Sequence, residues 1–75
     1  MSSEPPATAI VVTVNGSDHQ LPRGASVHDL LAAVGLAGRP VAVELNEQVV
    51  PRAELADRVL RHDDRLEIVT LVGGG

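Results

Sequence analysis

The group best placed to do chemistry is the end of the chain, where the last strand expected, over residues 66–71, passes into Val72, Gly73, Gly74 and Gly75. Three glycines contribute no packing energy and carry maximal backbone freedom, a poor way to finish a domain for stability. Fully extended, residues 72–75 reach roughly 13 Å, at ~3.3 Å per residue. A bare strip of backbone of that length can enter a narrow channel in another protein and present its carboxylate. That carboxylate is ionised at neutral pH, because a free α-carboxyl titrates near ~3.5. It is a poor acyl donor until adenylation supplies a good leaving group. A sulfur donor can then replace AMP, leaving a thiocarboxylate, a soft nucleophile tethered to its carrier. The glycines alone fit an inert tail or an expression scar equally well.

The side chains offer weaker chemistry. His19, His28 and His62 fall on a turn, a helix surface and a loop, at spacings that match no metal site. Ser26 has a structural task as a helix cap, and no Gly-x-Ser-x-Gly surrounds it. Asp57, Asp63 and Asp64 read as solvated turn or helix-end charges, since paired-carboxylate catalysis needs a cleft that a chain this short can hardly form. There is no phosphate loop. With no cysteine, disulfides, thiolate metal sites and cysteine nucleophiles are excluded. The expectation is therefore no catalytic side chain, no metal and no bound cofactor.

A second feature bears on the tail. If Leu66 and Ile68 face the core, then Glu67, Val69 and Leu71 face away. With Val11 on a neighbouring strand, Val69 and Leu71 are expected to form an apolar docking patch beside the exit of the tail.

The elements that must position this end follow from pattern. Residues 9–14 alternate with Ile10, Val12 and Val14 on one face, and Asn15-Gly16 is a strong hairpin signal. The return strand is short, from His19 to Leu21, and Pro22, Arg23 and Gly24 end the hairpin. Ser26 opens a helix, with Asp29 completing a capping-box-like arrangement. Val27, Leu30, Leu31 and Val34 make its apolar stripe, Gly35 is the left-handed stop, and Leu36 folds back. Val41, Val43 and Leu45 alternate inward, Asn46-Glu47 turns into residues 48–50, and Pro51 starts a short helix over residues 52–56. Asp63-Asp64 turns into the last strand at residues 66–71. The class is α+β, with a mixed sheet of about five strands covering one helix.

Seventy-five residues with a net charge of -4 make one domain with a small core. Residues 1–8, with adjacent prolines, read as a flexible extension, residues 9–71 as the domain, and residues 72–75 as a flexible tail. The apolar content is 44% with no aromatic residue, so Val, Leu, Ile and Ala must fill the core. An acidic balance without a basic stripe or stacking aromatics argues against nucleic acid. No segment has the length and apolarity of a signal peptide or a membrane span, and the expected location is cytoplasmic.

Three pieces of the chain together resemble the ThiS family of sulfur carriers in thiamine thiazole biosynthesis. They are Ser26-Val-His-Asp-Leu-Leu31, the run from Val43 through Asn46, Val49, Val50 and Pro51 to Arg52, and the ending from Leu71 to Gly75. The resemblance spans about residues 10–75. It implies a ubiquitin-like β-grasp fold and activation by an ATP-dependent, E1-like adenylating enzyme of the ThiF type. A sulfur donor such as a cysteine desulfurase would supply the thiocarboxylate on Gly75, which passes its sulfur to a ThiG-type thiazole synthase. Val72, Gly73 and Gly74 would enter the partner's active site, and the carrier itself would not catalyse. The chain departs from the family at His62-Asp63-Asp64, where Asp-Gly-Asp or Glu-Gly-Asp is common, and at Leu55, where an aromatic is frequent. Residues 1–8 are an unusual extension.

Neighbouring readings are the small subunit of molybdopterin synthase, which usually carries a Pro-Pro-Val approach missing here, and carriers for cysteine or siderophore synthesis. A ubiquitin-like modifier and a passive interaction module remain from other classes.

Overall fold

A computed structural model describes residues 7–71 of the chain. Its strands are β1 (Ala9–Val14), β2 (Ser17–Pro22), β3 (Val41–Leu45), β4 (Gln48–Val50) and β5 (Arg65–Thr70), with one helix, α1 (Val27–Ala33), and a 3-10 turn at Arg52–Glu54. The five strands form one sheet in the order β2-β1-β5-β3-β4. β1 and β5 run parallel, and the other neighbours are antiparallel. This is the expected α+β, β-grasp arrangement, and it puts β5, the strand that leads to the tail, in the middle of the sheet.

Each hairpin closes through two residues in left-handed backbone, which Asn and Gly adopt readily and Glu47 does not. Asn15 and Gly16 have φ of 48° and 86°, and Asn46 and Glu47 have 50° and 71°. Positive φ at both central positions gives a turn whose twist matches that of the strands. β2 begins at Ser17 rather than His19, because this tight turn lets pairing start at once, with Val14 opposite Ser17.

The helix is fixed at both ends. The Ser26 hydroxyl accepts from the Asp29 N–H at 3.1 Å, and the Asp29 carboxylate accepts from the Ser26 N–H at 2.9 Å, a complete capping box. Val27 N–H donates to the Arg58 carbonyl and His28 N–H to the Leu55 carbonyl, so the segment before β5 satisfies the remaining free amides of the first turn. At the other end Val34 is the cap rather than a helical residue. Gly35, at φ 80°, donates to the Ala32 carbonyl and Leu36 to that of Leu31. That pairing is a Schellman stop, with Leu36 packed back on the core as expected.

The core lies between α1 and one face of the sheet. Val27 and Leu30 on the helix, Ile10, Val12 and Val14 on β1, Val43 on β3, and Leu66 and Ile68 on β5 are all buried. Each such side chain contributes about 1.5–3 kcal/mol on removal from water. The short helix expected over residues 52–56 is a single 3-10 turn. Beyond it Leu55 N–H donates to the Arg52 carbonyl and Asp57 N–H to that of Glu54, and the chain turns away to meet α1. β5 ends at Thr70, one residue before the expected Leu71. Among the described residues no helix is long and apolar enough to cross a membrane.

Candidate functional site

The site begins with how β5 is held. Leu66 and Ile68 point into the core and anchor the strand. β3 binds one edge along its length, from Leu45 opposite Leu66 to Val41 opposite Thr70. β1 reaches only as far as Val14, opposite Leu66. Beyond that point the Asn15 side chain takes over as a one-residue strand. Its Oδ1 accepts from the Ile68 N–H at 2.8 Å, and its Nδ2 donates to the Ile68 carbonyl at 3.0 Å.

A second asparagine secures the start of β5. Asn46 Oδ1 accepts from the Arg65 N–H at 3.0 Å and Nδ2 donates to Asp64 Oδ1 at 3.0 Å, while Asp64 Oδ2 accepts from the Arg61 N–H at 2.7 Å. The Asn46 of the sequence motif is thus a structural clamp. Asp63 adopts φ 72°, so aspartate does serve the turn where glycine is common. His62 is structural too. Its Nδ1 accepts from the Val11 N–H at 3.0 Å, leaving the proton on Nε2, which faces Asp63 Oδ1 at 3.4 Å.

Held in this way, β5 delivers its last residues to the outer face of the sheet. Val69 and Leu71 are 60% and 52% exposed, high values for apolar side chains, and Leu71 N–H still donates to the Pro40 carbonyl. Glu67 lies on the same face, directly opposite Glu44 of β3, whose own other neighbour is Val49 of β4. Val72, Gly73, Gly74 and Gly75 lie outside the described residues.

The family model for the ThiS family matches residues 9–75, nearly the whole chain. The chain belongs to the ThiS family. Among its relatives, the sulfur carrier protein ThiS of Thermus thermophilus is 37% identical over 65 residues, covering 87% of this chain and 100% of that protein. A thiazole synthase of Magnetococcus marinus is 39% identical over 64 residues, covering 85% of this chain but 20% of that protein. This chain therefore spans about a fifth of the length of that thiazole synthase. The crystal structure of the thiamine biosynthesis protein ThiS from Geobacter metallireducens superimposes with a TM-score of 0.73 at 30% identity, covering 88% of this chain and all of that one.

Set on this ThiS framework, the expected apolar patch changes membership. Val69 and Leu71 are neighbours on one face, but Val11 does not join them. Because β1 and β5 run parallel with Thr13 opposite Arg65, Val11 lies level with residue 63. It stands six strand positions from Val69, roughly 20 Å at ~3.3 Å per residue. Val11 is also half-buried, with its backbone bonded to His62 and Asp63. A sequence read strand by strand places Val11 on the correct face but at the wrong end of the sheet. Two further exposed apolar residues were missed, Val49 on β4 beside Glu44, 70% exposed, and Val59 in the loop before β5, 54% exposed. The signal for Val49 was the pair Val49-Val50, of which only one can face the core on a strand.

The remaining candidates do not assemble into a catalytic group. His19 sits on β2, His28 on the helix surface and His62 in the loop before β5. Among the described residues no group of three or more metal-ligating side chains comes together. The Ser26 backbone N–H, then its hydroxyl, hold the Asp29 pKa below the ordinary value of 3.8.

Proposed function

We propose that this chain is a sulfur carrier whose reacting group is the carboxylate of Gly75. An E1-like, ThiF-type enzyme joins that carboxylate to the AMP part of ATP and releases pyrophosphate. The persulfide of a sulfur donor such as a cysteine desulfurase then displaces AMP to form an acyl disulfide. A thiol reductant cleaves its S–S bond, leaving a thiocarboxylate on Gly75 and carrying off the donor's sulfur as a disulfide. A ThiG-type thiazole synthase takes the sulfur for the thiazole of thiamine and returns the carboxylate. ATP belongs to the activating enzyme, and the carrier is a co-substrate rather than a catalyst.

The observation that carries this reading is the family match continuing through residue 75, past a strand held firmly at both ends. Glycine suits residues 73–75 because only a chain without side chains fits a channel narrow enough to exclude water from an acyl-adenylate. Val69 and Leu71 suit a docking patch at the base of this tail. Val72, Gly73 and Gly74 then occupy the channel.

The test is mass spectrometry of the intact protein and its C-terminal peptide after incubation with ATP, an adenylating enzyme and sulfide, with a thiol alkylator added last. With no cysteine in the chain, a label on the terminal peptide reports the thiocarboxylate. Deleting Gly75, or replacing Gly74 by a bulky residue, abolishes the label without unfolding the domain. Adducts on lysines of other proteins, with no terminal label, identify a modifier instead.

A further inference from the structure

Leu71 borders two different surfaces. On one side is the outer sheet face, which carries Val69 and, four strand positions before Leu71, Glu67 opposite Glu44. On the other is a cleft of about 450 Å³ between the loop that follows α1 and the 3-10 turn. Its floor is apolar, formed by Leu31, Leu36 and Leu55, and its rim carries Arg39 and Arg52. No aspartate or glutamate lines it. This is unusual in a chain whose acidic residues outnumber its basic ones by 10 to 6.

The two guanidinium groups are uncommitted. Arg23 donates to the Ala7 carbonyl and Arg58 pairs with Glu54 at 3.2 Å, but among the described residues neither Arg39 nor Arg52 has a side-chain hydrogen bond or ion pair. The Glu54 carboxylate, close in sequence to Arg52, is instead paired with Arg58 and does not line the cleft. Two free forked donors above an apolar floor suit a carboxylate, which each can bind through two parallel N–H···O bonds. The Val50-Pro51-Arg52 motif gains a reason here, since proline at the start of the turn fixes where the Arg52 stem leaves the backbone.

We propose that this cleft is a recognition site for an acidic side chain of the adenylating enzyme, docked between Arg39 and Arg52. The inference rests on the reading of Gly75 as the reacting end. The tail must then run away from the domain into that enzyme, which brings the residues around the channel mouth against Leu71 and the cleft beside it. With Glu44 and Glu67 on the opposite flank, the base of the tail lies between a negative and a positive surface. A partner of complementary polarity can dock in only one orientation.

The experiment is ATP–pyrophosphate exchange by a ThiF-type enzyme, with the full chain as the varied substrate. Arg39→Glu with Arg52→Glu is expected to raise KM about tenfold or more with kcat unchanged, and to flatten the rise of KM with salt. Arg39→Lys with Arg52→Lys retains the charge and is expected to fall between. Arg61→Glu with Arg65→Glu makes the same change of net charge outside the cleft and should leave KM near that of the unaltered chain. Circular dichroism and thermal melts confirm that each variant is folded. Unaltered KM in the cleft variant, an equal effect from the control pair, or a loss confined to kcat overturns the proposal. So does a fall in KM, which identifies the chain's own terminal carboxylate as the occupant. Normal exchange with an indifferent cleft variant sinks this inference alone, whereas no exchange by the unaltered chain sinks the carrier reading with it.

Discussion

Asn15 offers the sharpest test of how the tail-bearing strand is held. Replacing it by glycine keeps the left-handed turn, at φ 48°, while removing both bonds to Ile68. Each bond is worth about 0.5–1.5 kcal/mol net, so the loss is about 1–3 kcal/mol, less a few tenths regained from the easier backbone. A domain of this length holds only about 4–11 kcal/mol in total, so the effect is readily measured. It corresponds to a drop in Tm of about 4–8 °C for each kcal/mol. Asn15→Asp retains the acceptor for the Ile68 N–H but turns a carboxylate oxygen on the Ile68 carbonyl, and should be at least as destabilising as Asn15→Gly at neutral pH. Urea melts give the free energy, and amide exchange gives the location. The Ile68 N–H should lose protection in Asn15→Gly, while the Leu71 N–H, bonded to Pro40, keeps its own. If the urea midpoint is unmoved and Ile68 exchanges as slowly as before, the asparagine is not acting as a surrogate strand.

Other perturbations probe the remaining supports. Gly35→Ala meets no atom within 4 Å, so its cost is purely that of alanine at φ 80°, about 1–2 kcal/mol in a chemical melt. Leu30→Ala, at a side chain with no solvent exposure, costs about 2–5 kcal/mol and leaves the domain barely folded, as near-UV-silent far-UV melts can follow. The depressed Asp29 pKa contributes stability that is present above its unfolded value and lost as pH falls through the folded one. Stability of the native chain should therefore decline at and below pH 3.8, and Asp29→Asn should weaken that decline in acid titrations. Val69→Asp and Leu71→Asp sit on an exposed face, so they should spare the melting temperature while raising KM for adenylation.

Local rules settled much of this molecule before any contact was known. Ser26, Asp29 and Gly35 act through backbone groups within a few residues, and they formed the capping box and Schellman stop that their types and spacing required. The alternation of Ile10, Val12 and Val14 needed only the pleat of a strand to define the buried face. The glycine ending and the Val50-Pro51-Arg52 segment were legible as composition and motif. What depended on the pairing of distant strands was not. The parallel register of β1 and β5 separated Val11 from Val69 and Leu71, because one register fixes position along the strands while side-chain alternation fixes only the face. Asn15 and Asn46 look in sequence like ordinary turn residues. Their side chains became clamps on β5 only when folding brought residues 53 and 19 positions away within hydrogen-bond distance. Likewise, Arg39 and Arg52 are isolated charges along the chain and share a cleft only after the sheet and helix have closed around it.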